Sequence, residues 1–511
     1  MRYETGGCKV SLNQQLSSYM NAGFPILYID TFEEGKVENT IRQVADRRTI
    51  CSWSLANGYG EYSTKEQAWL MPPTKDESTE LVKVLESKLV VEDELHRTIL
   101  LIKDAHIALE NPEVVAYLKE IAVRISDGLE CCVILLSPVV TVPVELEKYI
   151  TLLENDYQSF EDICGIINQF IAEHELDPVT PKLLEDMAVA FKGLSEFEIN
   201  NLLALAASED GELSRKNLAL IFEQKKQMIR KSGILEMVPV KEKINDIGGL
   251  EILKQWLQRK AKVIQNMKDA ESFGVDMPKG VLIAGVPGCG KSLCAKAAAS
   301  LFEVPILRLD VGKLMGKYLG ESESNLRKAI HLAEAIAPCV LWVDELEKAF
   351  AGMGADGGHE VTTRLFGTFL TWMQEKTSAA FVVATANDIT KLPPELLRKG
   401  RFDEIFFVGL PTSEERRKIF EIHIAKRRKQ DTAKIKLSDL VSKTEGYSGA
   451  DIEGVVKEAV ECAFADGKDA VTTEDILAAI KNTNSLSVIM KEPLEKMKKE
   501  YEQRKLKNAS R

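Results

Sequence analysis

Long hydrophobic runs are missing from this 511-residue chain. Its uncharged stretch Cys131 to Val144 carries two prolines and falls short of the ~18 apolar residues that a membrane-crossing helix needs, so no span is expected. A secretory leader is lacking too, because MRYETGGCKV has an early glutamate and no apolar core. Cysteine is sparse and unpatterned. Its nine copies, an odd number, form no C-x-x-C pair, and Cys131, Cys132 and Cys339 sit inside apolar runs, which fits small core residues in a reducing cytoplasm. No H-E-x-x-H sequence occurs, so proteolysis in cis is not expected. Positive charge is in deficit: a net charge of −12 disfavours nucleic acid and anionic membrane as partners, since an acidic field repels phosphate. The local exception is Lys491 to Arg511, with eight Lys or Arg against four Asp or Glu, which reads as a solvated tail helix or, less often, a docking arm.

What is present is enough chain for two to four domains, at roughly 100 to 200 residues each. One copy of G-x-x-x-x-G-K-[ST] occurs, GVPGCGKS from Gly285 to Ser292, behind the strand-like Val281-Leu282-Ile283 and ahead of a helix-like run from Leu293. Glycines there let successive backbone N–H groups turn toward a phosphate in the loop of Val286, Pro287, Gly288, Cys289 and Gly290, proline itself contributing no donor, and the following helix adds its positive end. Lys291 would reach the β and γ phosphates of ATP, Ser292 would hold Mg²⁺, and Leu293 completes the contact.

The apolar run Cys339 to Val343 ends in Asp344-Glu345, as a buried parallel strand beside such a loop would. Asp344 would bind Mg²⁺ and Glu345 would polarise the attacking water. The run Phe381 to Ala386 delivers Asn387, an amide able to fix water without competing for its proton, although an Asn after a strand is also a common turn former. In LPPELLRKGRFD, Arg398 and Arg401 have no obvious acidic partner in their own turn and could project toward a neighbouring subunit's phosphate.

Taken together, GVPGCGKS, VDELEK, TANDI and LLRKGRFD, in this order and at these separations, resemble an AAA ATPase module of the classical clade, over roughly residues 240 to 480. The resemblance implies that Ile247 and Gly248 of Asp246 to Leu250 lie against adenine, and that Gly446 to Ile452 starts a lid helix whose Gly449-Ala450 replace the arginine of other AAA+ branches. It places Lys317 and Tyr318 in a pore loop that grips polypeptide, and His423 near the nucleotide, with an ordinary helix histidine as the alternative. It implies a homo-oligomer, a hexameric ring. One departure is QEKTS after the helix Val361 to Met373, where the family pattern has Asp-Gly; another is the glycine-rich GMGADGGHE, a second pore loop or simply a loop.

The first half echoes the second without its chemistry. TILLIK and Asp104-Ala105 are laid against the strand ending in Asp344-Glu345, with Asp104 as a surviving metal-binding aspartate and alanine in place of the glutamate. Ser137 falls opposite Asn387, Lys148 opposite Arg398, and Gly193 to Ile199 opposite Gly446 to Ile452. The strand from Phe24 to Asp30 runs into TFEEGKVENT, where Glu33 and Glu34 at a helix start satisfy the dipole and repel triphosphate.

The expected fold is therefore α/β: a P-loop NTPase parallel sheet with a helical lid, preceded by a degenerate AAA-like α/β domain with its own helical lid. The expected division is 1–155 for the degenerate domain, 156–235 for its lid, 236–412 for the ATPase α/β domain, 413–485 for the lid, and 486–511 for a basic tail helix. The segment KSGILEMVPVKEKINDIGG reads as the linker between halves. The whole chain also resembles the AAA ATPases encoded by hypothetical chloroplast reading frames of plastids and cyanobacteria, with bacterial relatives. The reading favoured is an ATP-driven protein-remodelling machine in the cytoplasm, or the stroma if plastid-encoded, that takes a protein substrate or adaptor through its first domain. The alternative is a nucleotide-dependent regulatory scaffold that does not thread substrate. A nucleic-acid motor is disfavoured by charge.

Overall fold

The structure, a computed structural model, describes residues 12–70, 80–90, 92–154, 157–231, 233–314, 321–350 and 359–510. Two compact units are present, Met1–Tyr157 and Gln158–Arg511.

In the first unit the strands are β1 (Ile26–Asp30), β2 (Thr49–Ser54), β3 (Gly58–Ser63), β4 (Ala68–Leu70), β5 (Thr98–Ile102), β6 (Cys131–Ser137) and β7 (Ile150–Glu154), in the order β4-β3-β2-β5-β6-β1-β7. β1, β5 and β6 are apolar almost throughout because helices cover both faces of a parallel sheet. Leu81–Val90 and Pro112–Ser126 pack on one face, Leu12–Asn21 and Glu34–Val44 on the other. The helix starts at Asn111 here, and at Ser159 and Thr180 in the second unit, are set by side chains that accept from the first turn, those after Asn111 and Thr180 with proline at the first helical position.

The second unit contains β8 (Leu235–Val238), β9 (Gly280–Gly285), β10 (Ile306–Leu309), β11 (Cys339–Val343), β12 (Ala380–Ala386), β13 (Glu404–Val408) and β14 (Lys507–Asn508), in the order β14-β13-β9-β12-β11-β10-β8. Read from the same side, β7-β1-β6-β5-β2 and β13-β9-β12-β11-β10 are parallel runs in the same chain order, fifth, first, fourth, third, second, and β14 extends the second run in parallel beyond β13. The two halves thus share one topology, with antiparallel additions beyond the second strand. Two helical clusters complete the unit: helices between 160 and 231, and lid helices between 413 and 482.

Three expectations change. The linker is not a tether, because Leu235 and Met237 alternate with Glu236 and form β8, antiparallel to β10. The tail is not only a solvated helix, since Lys491–Arg504 is followed by β14, which adds to β13. The helix expected to stop at Met373 runs from His359 to Glu375, after which the buried Lys376 amine donates to the carbonyls of Ser378 and Ala380. Burial pushes the Cys131, Cys132 and Cys339 thiols up to about 12, as small core residues.

The motifs GLSEFEI and GYSGADI fold alike. Gly193 and Gly446 are left-handed (φ 80° and 78°), and Ser195 and Ser448 cap their helices in reciprocal boxes with Glu198 and Asp451. Beside the first, the Lys192 amine donates to the Ala337 carbonyl at 3.0 Å, and a Cβ on Gly193 would come within 2.6 Å of Ile336 Cγ1. Gly193→Ala is expected to cost about 2–4 kcal/mol, read as a lowered denaturant midpoint, because it combines left-handed strain with overpacking. Gly211→Ala, also left-handed (φ 73°) but with nothing within 4 Å, should cost about 1 kcal/mol.

Candidate nucleotide site

A cavity of about 490 Å³ opens at the carboxyl ends of β9, β11 and β12, where open α/β sheets hold ligands. The loop after β9 lines it with Pro287, Gly288, Cys289, Gly290, Lys291, Ser292 and Leu293. Val286 does not line it; its side chain is buried and its N–H donates to the Val408 carbonyl at 2.9 Å. Lys291 is only 6% exposed, and its amine donates to the carbonyls of Gly285 (2.9 Å) and Val286 (2.8 Å). Burial holds that amine below the ordinary lysine value, with the Cys289 thiol and the carboxylates of Glu347 and Asp344 opposing the shift.

Asp344 is gripped from two sides. Ser292 Oγ donates to its Oδ1 at 3.1 Å and Thr385 Oγ1 at 2.5 Å. Thr385 Oγ1 also accepts from the Glu345 N–H (3.0 Å), holding Glu345 in a left-handed conformation (φ 51°) at the cavity wall. Asn387 Nδ2 donates to Glu345 Oε1 at 3.2 Å, and its N–H donates to Glu347 Oε1 at 3.0 Å. Glu345 Oε2 meets the Lys348 amine at 2.5 Å. Lys291, Ser292, Asp344, Glu345 and Asn387 are thus brought to one wall.

The lid supplies the opposite wall. Gly449 and Ala450 begin the helix Gly449–Ala465, and the Ala450 N–H donates to the Gly288 carbonyl at 2.9 Å. Gly288 is left-handed (φ 71°), and a Cβ there would meet Ala450 Cβ at 2.9 Å, so only glycine allows this approach. Ile247, Gly248 and His423 also line the cavity. Burial lowers the His423 pKa, and the Glu453 carboxylate, with Oε1 3.7 Å from Nδ1, opposes the shift. Arg398 and Arg401 lie outside the lining: Arg398 is exposed, and the Arg401 guanidinium donates to the Glu395 carbonyl of its own turn. Lys317 and Tyr318 lie outside the described residues, as does Gly352 to Gly358 of the second pore-loop region.

Sequence motifs did not single out Thr385, Glu415, Ile419 or Ser510, which also line the cavity. Thr385 is the lone hydroxyl of the apolar run Phe381 to Ala386, a signal the sequence does carry; Ser510 has none. Two hard oxygen ligands, Ser292 Oγ and Asp344 Oδ1, fit Mg²⁺, which takes few protein ligands and completes its shell with phosphate and water. Among the described residues no group of three or more His, Cys, Asp or Glu forms a protein-only metal cage. Nor is any described helix long and apolar enough to cross a membrane.

The corresponding corner of the first unit corrects the sequence register. β5 and β11 have equal length, and the left-handed residues after them are Asp104 and Glu345, both at φ 51°. Lys103, not Asp104, therefore stands in the place of Asp344. β6 and β12 likewise have equal length, so Pro138 rather than Ser137 matches Asn387. By strand pairing, Asp30 matches Ala284, leaving three residues before the helix at Glu34 where the second unit has six before Lys291. The Lys103 amine pairs with Glu38 and lies 4.0 Å from Glu34, so an internal ion pair fills the corner that elsewhere holds Ser292 and Asp344. Burial raises the Glu34 pKa, partly offset by Lys103.

Residues 281–410 match the family described as "ATPase family associated with various cellular activities (AAA)", and residues 434–478 match the AAA+ lid domain. Residues 12–155 and 161–232 match the N-terminal and second domains of SpoVK-like AAA ATPases. The AAA domain-containing protein ycf46 of Guillardia theta is 37% identical over 490 residues, covering 94% of this chain and 92% of that one. Its namesake in Pyropia yezoensis is 34% identical over 491 residues, covering 96% and 97%. The proteasome-activating nucleotidase of Saccharolobus solfataricus is 30% identical over 390 residues, covering 70% and 95%.

Thr385→Val removes the hydroxyl that serves both acidic residues. ATP turnover should fall about 10–100-fold while affinity for a non-hydrolysable analogue stays near that of the intact chain, measured by phosphate release and by titration.

Proposed function

Because the chain belongs to the AAA ATPase family, in its ycf46-like branch, we propose that it hydrolyses ATP as an oligomeric protein-remodelling machine. The observation that carries this is the convergence of Lys291, Ser292, Asp344, Glu345 and Asn387 on one cavity whose base end and lid wall are present, while Arg398 lies exposed outside it. Triphosphate binding exchanges the Gly285 and Val286 carbonyls at the Lys291 amine for phosphate oxygens. Mg²⁺, when held by Ser292 and Asp344, would neutralise charge on the phosphates. Glu345, oriented by Asn387 and by Thr385 through its own N–H, accepts hydrogen bonds from water and takes up its proton as it attacks. Arg398, and Arg401 once released from Glu395, would supply positive charge to a neighbouring copy's site, which is the support for a ring, with six subunits by family resemblance. A protein substrate, pulled by Lys317-Tyr318 and delivered through the first unit, is supported by relatives such as the proteasome-activating nucleotidase. The working compartment is the cytoplasm, or the stroma for a plastid-encoded chain.

The second reading, a nucleotide-set scaffold, is favoured by the ion-paired corner of the first unit.

Glu345→Gln should bind ATP, stop turnover and accumulate the assembled state, visible by size-exclusion chromatography and useful for capturing the substrate. Arg398→Ala should lose on the order of 10³-fold in turnover. Mixing it with Lys291→Ala subunits should restore part of that loss, and absence of rescue places the arginine in cis or nowhere. Tyr318→Ala separates the two readings: a threading machine keeps hydrolysis and loses unfolding of a test protein, whereas a scaffold keeps hydrolysis and shows no unfolding even with Tyr318 intact.

A further inference from the structure

We infer that the segment from Lys507 to Ser510 is part of the nucleotide-binding apparatus, with Ser510 as a positioning residue at the hinge between the α/β domain and the lid. The inference rests on the reading that the cavity takes ATP.

The segment is anchored to the sheet before it reaches the cavity. Lys507 and Asn508 pair in parallel register with Phe406 and Phe407 of the edge strand β13. The Lys507 amine meets Glu404 at 2.9 Å, and Tyr501 of the preceding helix stacks on Phe407 with centroids 4.2 Å apart. Ala509 is 0% exposed, inside the core that also holds Ile247, Leu250 and Leu253.

From there its backbone replaces a missing cap. The helix Glu251–Gln265 follows directly on the loop bearing Ile247 and Gly248, and its cap position, Leu250, is left-handed (φ 57°) with no side-chain cap bond. First-turn N–H groups of a helix need an external acceptor. The Ala509 carbonyl provides one, accepting from Ile252 N–H at 3.0 Å and Leu253 N–H at 3.2 Å, while Ala509 N–H donates to the Phe407 carbonyl at 2.9 Å. The base-end loop is thereby tied to β13.

Ser510 then closes a junction. Its Oγ donates to Glu415 Oε1 at 2.7 Å, an oxygen that also accepts the Leu250 N–H at 3.0 Å. Glu415 Oε2 accepts the Thr412 N–H at 2.9 Å, in the capping box that starts the lid helix Ser413–Arg428. One carboxylate, 9% exposed, therefore joins the start of a core helix, the start of the lid helix and Ser510, at a point lining the cavity beside Ile247, Gly248 and Ile419. None of these groups belongs to the phosphate wall, so their loss acts on affinity rather than on the chemical step.

The test compares the intact chain with a chain ending at Lys505, with Ser510→Ala and with Ser510→Thr, using ATP turnover and titration with a fluorescent ATP analogue. The shortened chain should show KM and Kd raised about tenfold, equivalent to ~1.4 kcal/mol, with kcat within about threefold. Ser510→Ala should raise both by about two- to fivefold, the worth of one hydrogen bond, and Ser510→Thr, which keeps the hydroxyl, should recover most of it. If the intact chain binds ATP and Ser510→Ala binds it equally well, or Ser510→Thr is no better than Ser510→Ala, the role assigned to Ser510 is wrong. A folded shortened chain with unchanged Kd overturns the role of the whole segment. If the shortened chain does not fold, the Ala and Thr pair decides. An intact chain that does not bind ATP, and is unaffected by Lys291→Ala, overturns the reading of the cavity instead.

Discussion

How many residues separate the first parallel strand from the helix that follows it governs the chemistry of each half. Six residues after the β9 position aligned with Asp30 give the backbone room to turn its N–H groups inward and bring Lys291 and Ser292 to the head of a helix, facing Asp344. A three-residue connection between Asp30 and Glu34 leaves no length for such a cradle. An anion needs convergent donors already in place, and a short connection cannot present them.

Charge completes what loop length begins. In the second unit a cation on the loop faces an acid after β11; in the first, acids on the helix, Glu34 and Glu38, face Lys103 after β5. The inverted pair satisfies itself. Bringing a triphosphate there would mean separating Lys103 from a nearly buried carboxylate and placing phosphate beside two acids, and breaking such a pair leaves an uncompensated charge. The first unit keeps the sheet order of its neighbour because the order is set by apolar strands buried on both faces, a constraint independent of the ligand.

The site in the second unit is a junction more than a pocket in one domain. Gly288 receives the lid helix through Ala450, and Glu415 collects hydrogen bonds from core, lid and the segment after β14. Thr385 does the same on the phosphate wall for Asp344 and Glu345. These joints put residues far apart in the chain within hydrogen-bond reach.

Much of this was legible in the sequence. Continuous apolar runs ending in Asp344-Glu345 and Asn387 marked strands and wall residues together, and GVPGCGKS marked the turn, because short-range chemistry is written in consecutive residues. The register of the first unit was not, since a one-residue slip leaves TILLIK-Asp104 equally strand-like; only pairing and the left-handed turn at Asp104 show that Lys103 holds the aspartate's place. Nor were β8, β14 and Ser510 legible as parts of the site. A four-residue strand in a linker and a two-residue strand after a basic helix carry almost no periodicity, and their role comes from which edge they cover. The sequence by itself determined the fold class and the residues of the turn after β9 and of the strand ends beside it, where neighbours in the chain are neighbours in space; the tertiary structure decided the ion-paired corner of the first unit and the Glu415 junction, because those depend on contacts between segments 65 and 95 or more residues apart.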